Sequence, residues 1–218
     1  MNLSHVTRWM TLLCSAALLA ALALPTAQAS TPVDAGWVLT KMARPAPMRT
    51  QFVEVRSSRY LKTPLRIYGE YSRPDNISMV RTVVAPYSEV TKLQGSTATI
   101  TRGSSVRTFS LSRVPELAGM QASFGALLSG DQSALKKDFS VTSTGTREQW
   151  TLLMTPKNAA LAKQIQDITL YGRGAELRCI ETRGKAQGQM QRTLLASAAA
   201  AIKGQTSDSV LVATCHGQ

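Results

Sequence analysis

Short β-rich runs separated by turn residues occupy the chain from Arg49 to Leu111, and alternation of apolar and polar positions with a period of two is typical of half-buried β-strands. In the clearest example, Leu65, Ile67, Gly69 and Tyr71 alternate with Arg66, Tyr68, Glu70 and Ser72. Further strands are predicted at Gln51–Ser57, Ile77–Val84, Ser88–Leu93, Ala98–Thr101, Val106–Leu111, Phe139–Ser143, Arg147–Met154, Asp167–Tyr171, Leu177–Thr182 and Gln189–Leu195. Because short turns join most of these strands, we expect an antiparallel meander and not a βαβ fold.

A helical period replaces this alternation in a few segments. Asp34 caps the first helix, and its shared face is formed by Val33, Trp37, Val38 and Lys41 before Pro45 and Pro47. Residues 114–137 are predicted to be helical. The first helix ends at Gly130, and its apolar stripe consists of Leu117, Met120, Gln121, Phe124, Leu127 and Leu128. Asp131 then caps a short second helix that runs through Lys137. Asn158–Gln164 is another short helix, residues 196–202 are helix or coil, and residues 204–218 stay unassigned. The predicted fold class is α+β, a curved antiparallel sheet of about ten or eleven strands covered by helices.

Residues 1–29 have the order of a secretory signal, with a basic start, an apolar middle and small residues before a cleavage site. Arg8 precedes the apolar run Trp9–Leu24, and Ala27-Gln28-Ala29 follows it. The alternative, an uncleaved membrane helix, is disfavoured because the run is short for a bilayer. Cys14 lacks the small residue that precedes a lipidated cysteine. We therefore expect cleavage after Ala29, a single domain at residues 30–196 and a C-terminal tail at residues 197–218.

The chain is strongly basic, with 25 Lys and Arg against 13 Asp and Glu and a formal charge of +12. Outside the cytoplasm such a surface favours anionic lipid head groups over nucleic acid as a partner. The basic residues are spread singly rather than concentrated with aromatic residues on one element, which also speaks against nucleic acid. A basic surface that serves only solubility is an equally open interpretation.

Candidate chemistry is sparse in the mature chain. Its two cysteines, Cys179 and Cys215, favour a disulfide that ties the tail to the sheet, with two unpaired thiols as the alternative. His216 is its only histidine, so neither a metal site nor a catalytic triad is indicated. Ser133-Ala134-Leu135-Lys136 matches S-x-x-K, which we interpret as an ordinary capped helix. No cofactor is expected, and an enzyme is the weaker class.

The apolar face of such a sheet has two possible uses. It can close as a dry core, which the pattern alone favours, or it can leave a cavity for an acyl chain. Met42, Met48 and Met120 would suit the adaptable lining of such a cavity.

Several short motifs follow one another along the chain. They are Gln51-Phe52-Val53-Glu54 after a terminal helix, then Tyr60–Leu65, Gly69-Glu70-Tyr71 leading into Arg73-Pro74, Leu93-Gln94-Gly95, Phe124–Asp131, and Trp150-x-Leu152-x-Met154-x-Pro156. In this order they resemble the periplasmic outer-membrane lipoprotein carrier superfamily (LolA/LolB-like), and most of all its divergent branch found beside aryl-polyene and fatty-acyl clusters. The resemblance covers residues 33–195.

This resemblance implies a half-barrel of antiparallel strands whose helices cover a hydrophobic cavity for acyl chains. The cavity or lid residues it suggests are Trp37, Leu65, Ile67, Tyr71, Arg73, Met120, Phe124, Trp150 and Leu152. Arg73 matches the arginine of the family's R-P motif, which engages the lid helix and helps gate the cavity; a solvated turn residue is the alternative. Asp75–Val80 lacks the aromatic residues that carriers place after this motif, and Gln94 replaces the aspartate of the family's D-G turn. We therefore expect a lipid-like cargo smaller than a lipoprotein.

The expected function is that of a soluble, monomeric periplasmic carrier that shuttles acylated or lipid-like cargo toward the outer membrane. An inner-membrane exporter, an outer-membrane acceptor and transient membrane contact are the expected partners. Arg56, Arg59, Lys62 and Arg66 flank the first hairpin around Tyr60 and are candidates to meet an anionic head group or an acidic exporter. A periplasmic sensor or assembly factor of the same fold stays open as an alternative, as does an envelope hydrolase, for which we find no nucleophile and base.

Overall fold

The computed structural model describes residues 32–113, 131–204 and 207–218. In these ranges the strands are β1 (Met48–Ser57), β2 (Leu65–Arg73), β3 (Ser78–Ala85), β4 (Glu89–Gln94), β5 (Thr97–Arg102), β6 (Ser105–Ser110), β7 (Phe139–Gly145), β8 (Trp150–Pro156), β9 (Ile165–Arg173), β10 (Glu176–Gly184) and β11 (Met190–Leu195). The helices are α1 (Ala35–Met42), α2 (Gln132–Asp138), α3 (Ala159–Gln164), α4 (Ala196–Ala201) and α5 (Asp208–His216), and Leu111–Arg113 form a 3₁₀ turn.

The strands of the described residues form one antiparallel sheet of eleven, in the order β6-β5-β4-β3-β2-β1-β11-β10-β9-β8-β7. Two meanders, β1 to β6 and β7 to β11, meet where the first strand pairs with the last. At this seam Phe52 of β1 lies opposite Gly69 of β2 on one side and Leu195 of β11 on the other. The predicted fold class, a curved antiparallel sheet covered by helices, is confirmed.

Helices pack on both faces of the sheet. On the face termed the inner face, α1 buries Val38, Leu39 and Met42 against sheet residues that include Phe52 and Leu152. On the opposite, outer face, α4 and α5 cover a second cluster, which contains Val53, Val55, Cys179, Leu194, Ala198, Ala199 and Leu211. Because both faces of β1 are covered, its residues Phe52–Val55 are buried without interruption.

The disulfide predicted between Cys179 and Cys215 is present, and it joins β10 to α5 on the outer face. The tail, which the sequence left unassigned, therefore contributes a helix that is held against the sheet. The Ala-rich segment before it is helical as well, so the choice between helix and coil at residues 196–202 is settled as helix over Ala196–Ala201.

Most predicted elements are confirmed, with boundaries that differ by a few residues. Asp34 caps α1 by accepting a hydrogen bond from the Trp37 amide at 2.9 Å. Lys41, which we placed on the shared face of α1, is exposed, because the helix buries the side with Leu39 and Met42 instead. Strand β8 begins at Trp150 and not at Arg147, since a turn closed by the Thr146 amide and the Gln149 carbonyl precedes it. The predicted stripe from Leu117 to Leu128 lies outside the described residues.

Candidate functional site

An apolar cavity of about 330 Å³ opens on the inner face beside the end of α1. Its lining comes from α1 and the segment after it, from β1, β2 and β3, from the start of β10 and the turn before it, and from the junction of β11 and α4. The lining residues are Met42, Arg44, Met48, Arg49, Thr50, Tyr71, Ser72, Arg73, Met79, Ala175, Glu176, Leu177, Leu195 and Ala196. Strand register explains part of this set, because Met48 lies opposite Arg73 and Thr50 lies opposite Tyr71. Met42, Met48 and Met79 contribute to the apolar part, and their unbranched side chains suit an adaptable lining.

Two arginines at the cavity are held by backbone carbonyl groups. Arg73 is 9% exposed; its Nη1 donates to the Arg44 carbonyl at 2.9 Å, and its Nη2 contacts the Asn76 side-chain oxygen at 3.4 Å. Arg44 donates from Nη1 to the Lys41 and Ala43 carbonyls and from Nη2 to the Ala175 carbonyl at 2.8 Å. The two side chains thereby connect the end of α1 with β2 and with the turn between β9 and β10.

The other charged lining residues have partners of their own. Arg49 forms an ion pair with Glu70 at 3.1 Å, and Glu176 accepts a hydrogen bond from the Ser197 amide at 2.9 Å. The Glu176 carboxylate therefore caps the start of α4, where a negative charge is favourable. Neither carboxylate forms an ion pair with Arg44 or Arg73.

A buried ionic network borders the cavity behind Tyr71. Glu54 is fully buried in β1 and accepts hydrogen bonds from Arg56 at 2.6 Å, from Arg81 at 3.1 Å and from Gln191 at 3.1 Å. The guanidinium of Arg81 lies 5.0 Å from the centre of the Phe52 ring and is hydrogen-bonded to Tyr71. Burial, together with the negative charge of Glu54, raises the pKa of Tyr71 to about 12. The buried carboxylate is thus matched by cations, as its desolvation requires.

The network continues toward the edge of the sheet. Arg81 lies 3.9 Å from Glu89 of β4, and Glu89 pairs with Arg102 of β5 at 2.6 Å. Arg102 also lies 4.6 Å from the centre of the Tyr87 ring. Charges of alternating sign therefore connect four strands along this part of the inner face.

Comparison with protein families decides where this chain belongs. Residues 27–218 match the family described as outer membrane lipoprotein carrier protein LolA-like. The chain belongs to this family. The family is one of lipid- and lipoprotein-binding carriers and not of enzymes.

Two solved structures are similar to this LolA-like chain at low identity. A LolA superfamily protein from Nitrosomonas europaea shares 10% identity, with 76% of this chain and 92% of that chain covered and a TM-score of 0.40. LprF from Mycobacterium bovis shares 13% identity, with 78% and 94% covered and a TM-score of 0.34. No curated protein matches the sequence significantly. The family assignment therefore rests on the family match, which spans nearly the whole chain.

The structure separates the cavity and lid candidates of this LolA-like chain into three groups. Tyr71 and Arg73 line the cavity. Ile67, Trp150 and Leu152 are fully or almost fully buried in the inner-face core, and Trp37 and Leu65 are half-buried at its border. Met120 and Phe124 lie outside the described residues.

Sequence reasoning missed several lining residues. Met42 and Met48 were singled out by residue type, and both line the cavity. Leu177 and Leu195 were not, because they belong to the second meander and reach the cavity only through the pairing of β11 with β1. Arg44 carried one signal, a basic residue just after a helix and before Pro45, but nothing in the sequence connects it to Ala175.

The four basic candidates around the first hairpin are not gathered into one open patch. Arg56 pairs with Glu54, and Arg66 pairs with Asp208 of α5 at 3.2 Å. Arg59 lies over the Tyr60 ring at 4.8 Å, in the loop that joins β1 to β2. Tyr60 is 79% exposed and Leu61 is 41% exposed, and Lys62 beside them is exposed as well.

Two other clusters on this chain have structural explanations. Glu181, Cys215 and His216 bring potential ligand atoms within 4.8 Å of one another, but the Cys215 sulfur belongs to the disulfide and Arg192 pairs with Glu181. Ser133 of the S-x-x-K match bonds through its hydroxyl and its amide to Asp131, as in a helix cap. Among the helices of the described residues, none has the length and apolar character needed to cross a membrane.

Proposed function

We propose that this protein is a periplasmic carrier that holds an acyl chain or a similarly narrow lipid-like cargo in the inner-face cavity and shuttles it toward the outer membrane. The observation that carries the proposal is the cavity itself, which has a methionine- and leucine-rich lining and polar groups at its border. Small-molecule sites in proteins combine these two features. At about 330 Å³ the cavity is at the lower end of their size range, which favours one chain over several.

The energetics of such a cargo are adequate for a carrier. Burial of a methylene group contributes about 0.8 kcal/mol, so a ten-carbon chain gains roughly 7 kcal/mol before the cost of immobilising it. That cost is several kcal/mol. The net affinity is then moderate, which allows a carrier both to load and to release its cargo.

Two features support a site of action outside the cytoplasm. Residues 1–29 have the pattern of a cleaved secretory signal, and the Cys179–Cys215 disulfide is the kind of bond that persists in oxidising compartments. A carrier of this kind takes its cargo from an inner-membrane exporter and passes it to an outer-membrane acceptor as a monomer. Transient membrane contact through the exposed loop at Arg59–Lys62 fits that role, because basic and aromatic side chains favour an anionic membrane interface.

Native mass spectrometry of protein purified from periplasm tests the proposal directly. A carrier is expected to show a mass excess that disappears after lipid extraction and whose extract contains acyl chains. A protein that is empty and holds a stable protein partner instead would overturn the proposal in favour of a sensor or assembly factor.

A filled cavity gives a second test with a matched control. Met48→Trp places a larger side chain in the lining, whereas Met190→Trp makes the same change in β11 away from the cavity. We expect Met48→Trp to weaken binding of both decanoate and 1-decanol by about ten-fold or more, and Met190→Trp to bind like the wild type. Equal affinities for the two variants would show that the ligand lies elsewhere.

A further inference from the structure

We propose that the natural cargo carries an anionic head group, which Arg44 and Arg73 bind at the border of the cavity. This inference rests on the proposed function, since it assumes that the apolar part of the cargo occupies the cavity. It adds the chemical class of the cargo, a single-chain amphiphile with a carboxylate or a similar acidic group. Three observations carry it: the unused donors of the two arginines, the charge balance around them, and their position beside an apolar lining.

The first observation concerns Arg73. A guanidinium has five N–H donors. Arg73 uses one Nη1 donor toward the Arg44 carbonyl and one Nη2 donor toward Asn76, and the second of these contacts is long at 3.4 Å. The remaining N–H donors of Arg73 have no acceptor among the described residues. The side chain is only 9% exposed, so little water can reach it. A buried cation with unused donors is stabilised by an anionic acceptor.

Arg44 also has unused donors, although its side chain is exposed and not buried like that of Arg73. Its three hydrogen bonds go to the carbonyls of Lys41, Ala43 and Ala175, and they fix the guanidinium without neutralising it. Its Nε and one Nη2 donor have no acceptor in the part of the chain that the structure describes. A side chain already fixed in place loses little conformational entropy when it binds a ligand.

The charge balance also favours an anion. Within the described ranges, no carboxylate lies within ion-pair distance of Arg44 or Arg73, whereas Arg49 is paired with Glu70. Glu176, the acidic residue in the lining, is engaged by the Ser197 amide. Arg44 and Arg73 together outnumber the single carboxylate of Glu176 in the lining, and neither arginine is in an ion pair with a described residue, so an excess of positive charge remains at the border of the cavity.

Calorimetric binding of decanoate and of 1-decanol tests the inference, because the two ligands share a chain and differ in head-group charge. We expect the wild type to bind decanoate about ten-fold more tightly than 1-decanol at neutral pH. A hydrogen bond to a charged group contributes more binding free energy than a neutral one, and the difference corresponds to about ten-fold in affinity. Equal binding of both ligands would overturn the head-group inference and leave the acyl cavity intact. Binding of neither would instead contradict the proposed function.

Variants locate the effect. Arg44→Gln and Arg73→Gln are expected to bring the ratio of decanoate to 1-decanol affinity to within about two-fold of unity, whereas Arg73→Lys retains part of the preference. Arg107→Gln, at an exposed position of β6, is the matched control and is expected to keep the wild-type ratio. A ratio of affinities is insensitive to partial unfolding, so it stays informative if Arg73→Gln loosens the contact with α1. An unchanged ratio in both glutamine variants would show that these arginines do not bind the head group.

Discussion

The indole ring of Trp150 occupies the space that a side chain on Gly172 would fill. The two residues are cross-strand partners in β8 and β9, and a Cβ atom built on Gly172 overlaps the six-membered part of the ring. The ring nitrogen donates to the Gly174 carbonyl at 2.9 Å, which fixes the indole over the glycine. Phe52 lies over Gly69 in a similar way in β1 and β2, where an added Cβ would meet the Thr82 carbonyl oxygen as well as the ring. Each half of the inner face is thus packed around an aromatic ring that needs a glycine beneath it.

Gly172→Ala is therefore expected to reduce the free energy of unfolding by about 2–3 kcal/mol, the cost of overpacking a core. Urea denaturation monitored by circular dichroism measures it. Gly95→Ala is a useful comparison, because Gly95 has a φ of +55° and open space around it. The alanine there is expected to reduce the free energy of unfolding by about 1 kcal/mol through backbone strain alone.

The Trp150→Leu background identifies the cause of this loss. With the indole removed, adding Gly172→Ala is expected to cost less than about 1 kcal/mol, and the difference is the coupling between the two positions. If the cost of the alanine is the same in both backgrounds, the ring is not what excludes the side chain.

The sequence predicted the strands well but not the way in which they are arranged around the seam. Alternation correctly placed Trp150, Leu152 and Met154 on one face, because that face of β8 is buried while the other is half-buried or exposed. Strand β1 does not alternate over Phe52–Val55, since helices cover both of its faces there. One of those covering helices, α5, comes from the tail, and the Cys179–Cys215 disulfide joins it to β10.

The candidate site was harder to predict, because its parts are distant in sequence. Arg73 was recognised through its neighbour Pro74, which is a local signal. Arg44 also precedes a proline, but nothing local connects it to Leu177, and the two meet at the cavity only after α1 has packed beside β10. Periodicity reports whether a position is buried, but it does not report which buried positions leave a space between them.

Tyr71 gives the fold a dependence on alkaline pH. Its pKa is about 12 in the folded protein against an ordinary value of 10.0, chiefly because the ring is buried. Between these values the unfolded chain loses the phenol proton and the folded protein keeps it. Stability therefore falls as the pH rises above about 10, by up to about 1.4 kcal/mol per pH unit from this residue.

Urea unfolding of the wild type and of Tyr71→Phe tests this pH dependence. The measurements cover pH values between about 9 and 12 at a spacing of about half a unit. The phenylalanine variant is expected to lose less stability across the range, because it lacks the phenol group whose pKa differs between the folded and the unfolded state. Tyr171, whose pKa is also raised to about 12, titrates in both proteins and cancels in the comparison. Parallel curves for the two proteins would contradict the assignment.

The disulfide is expected to stabilise the whole domain without shaping the cavity. It closes a loop with a sequence separation of 36 residues, for which chain entropy gives a contribution of about 3–4 kcal/mol. Replacing both Cys179 and Cys215 by alanine should lower the free energy of unfolding by that amount. Binding of decanoate at low temperature should stay within about two-fold of the wild type, since the bond lies on the outer face. If the variant stays folded but no longer binds decanoate, the shape of the cavity depends on the position of α5.

The exposed loop between β1 and β2 is expected to be the part of the surface that meets anionic membranes. Arg59→Glu combined with Lys62→Glu should weaken binding to vesicles containing phosphatidylglycerol by at least about ten-fold, because each basic residue near such a surface contributes about 1 kcal/mol. Lys92→Glu with Arg107→Glu makes the same change in net charge at exposed positions of β4 and β6. Vesicle sedimentation at low salt compares the two double variants. If both lose binding equally, the membrane responds to the net charge of the protein; if only the first does, the contact lies at the loop around Tyr60.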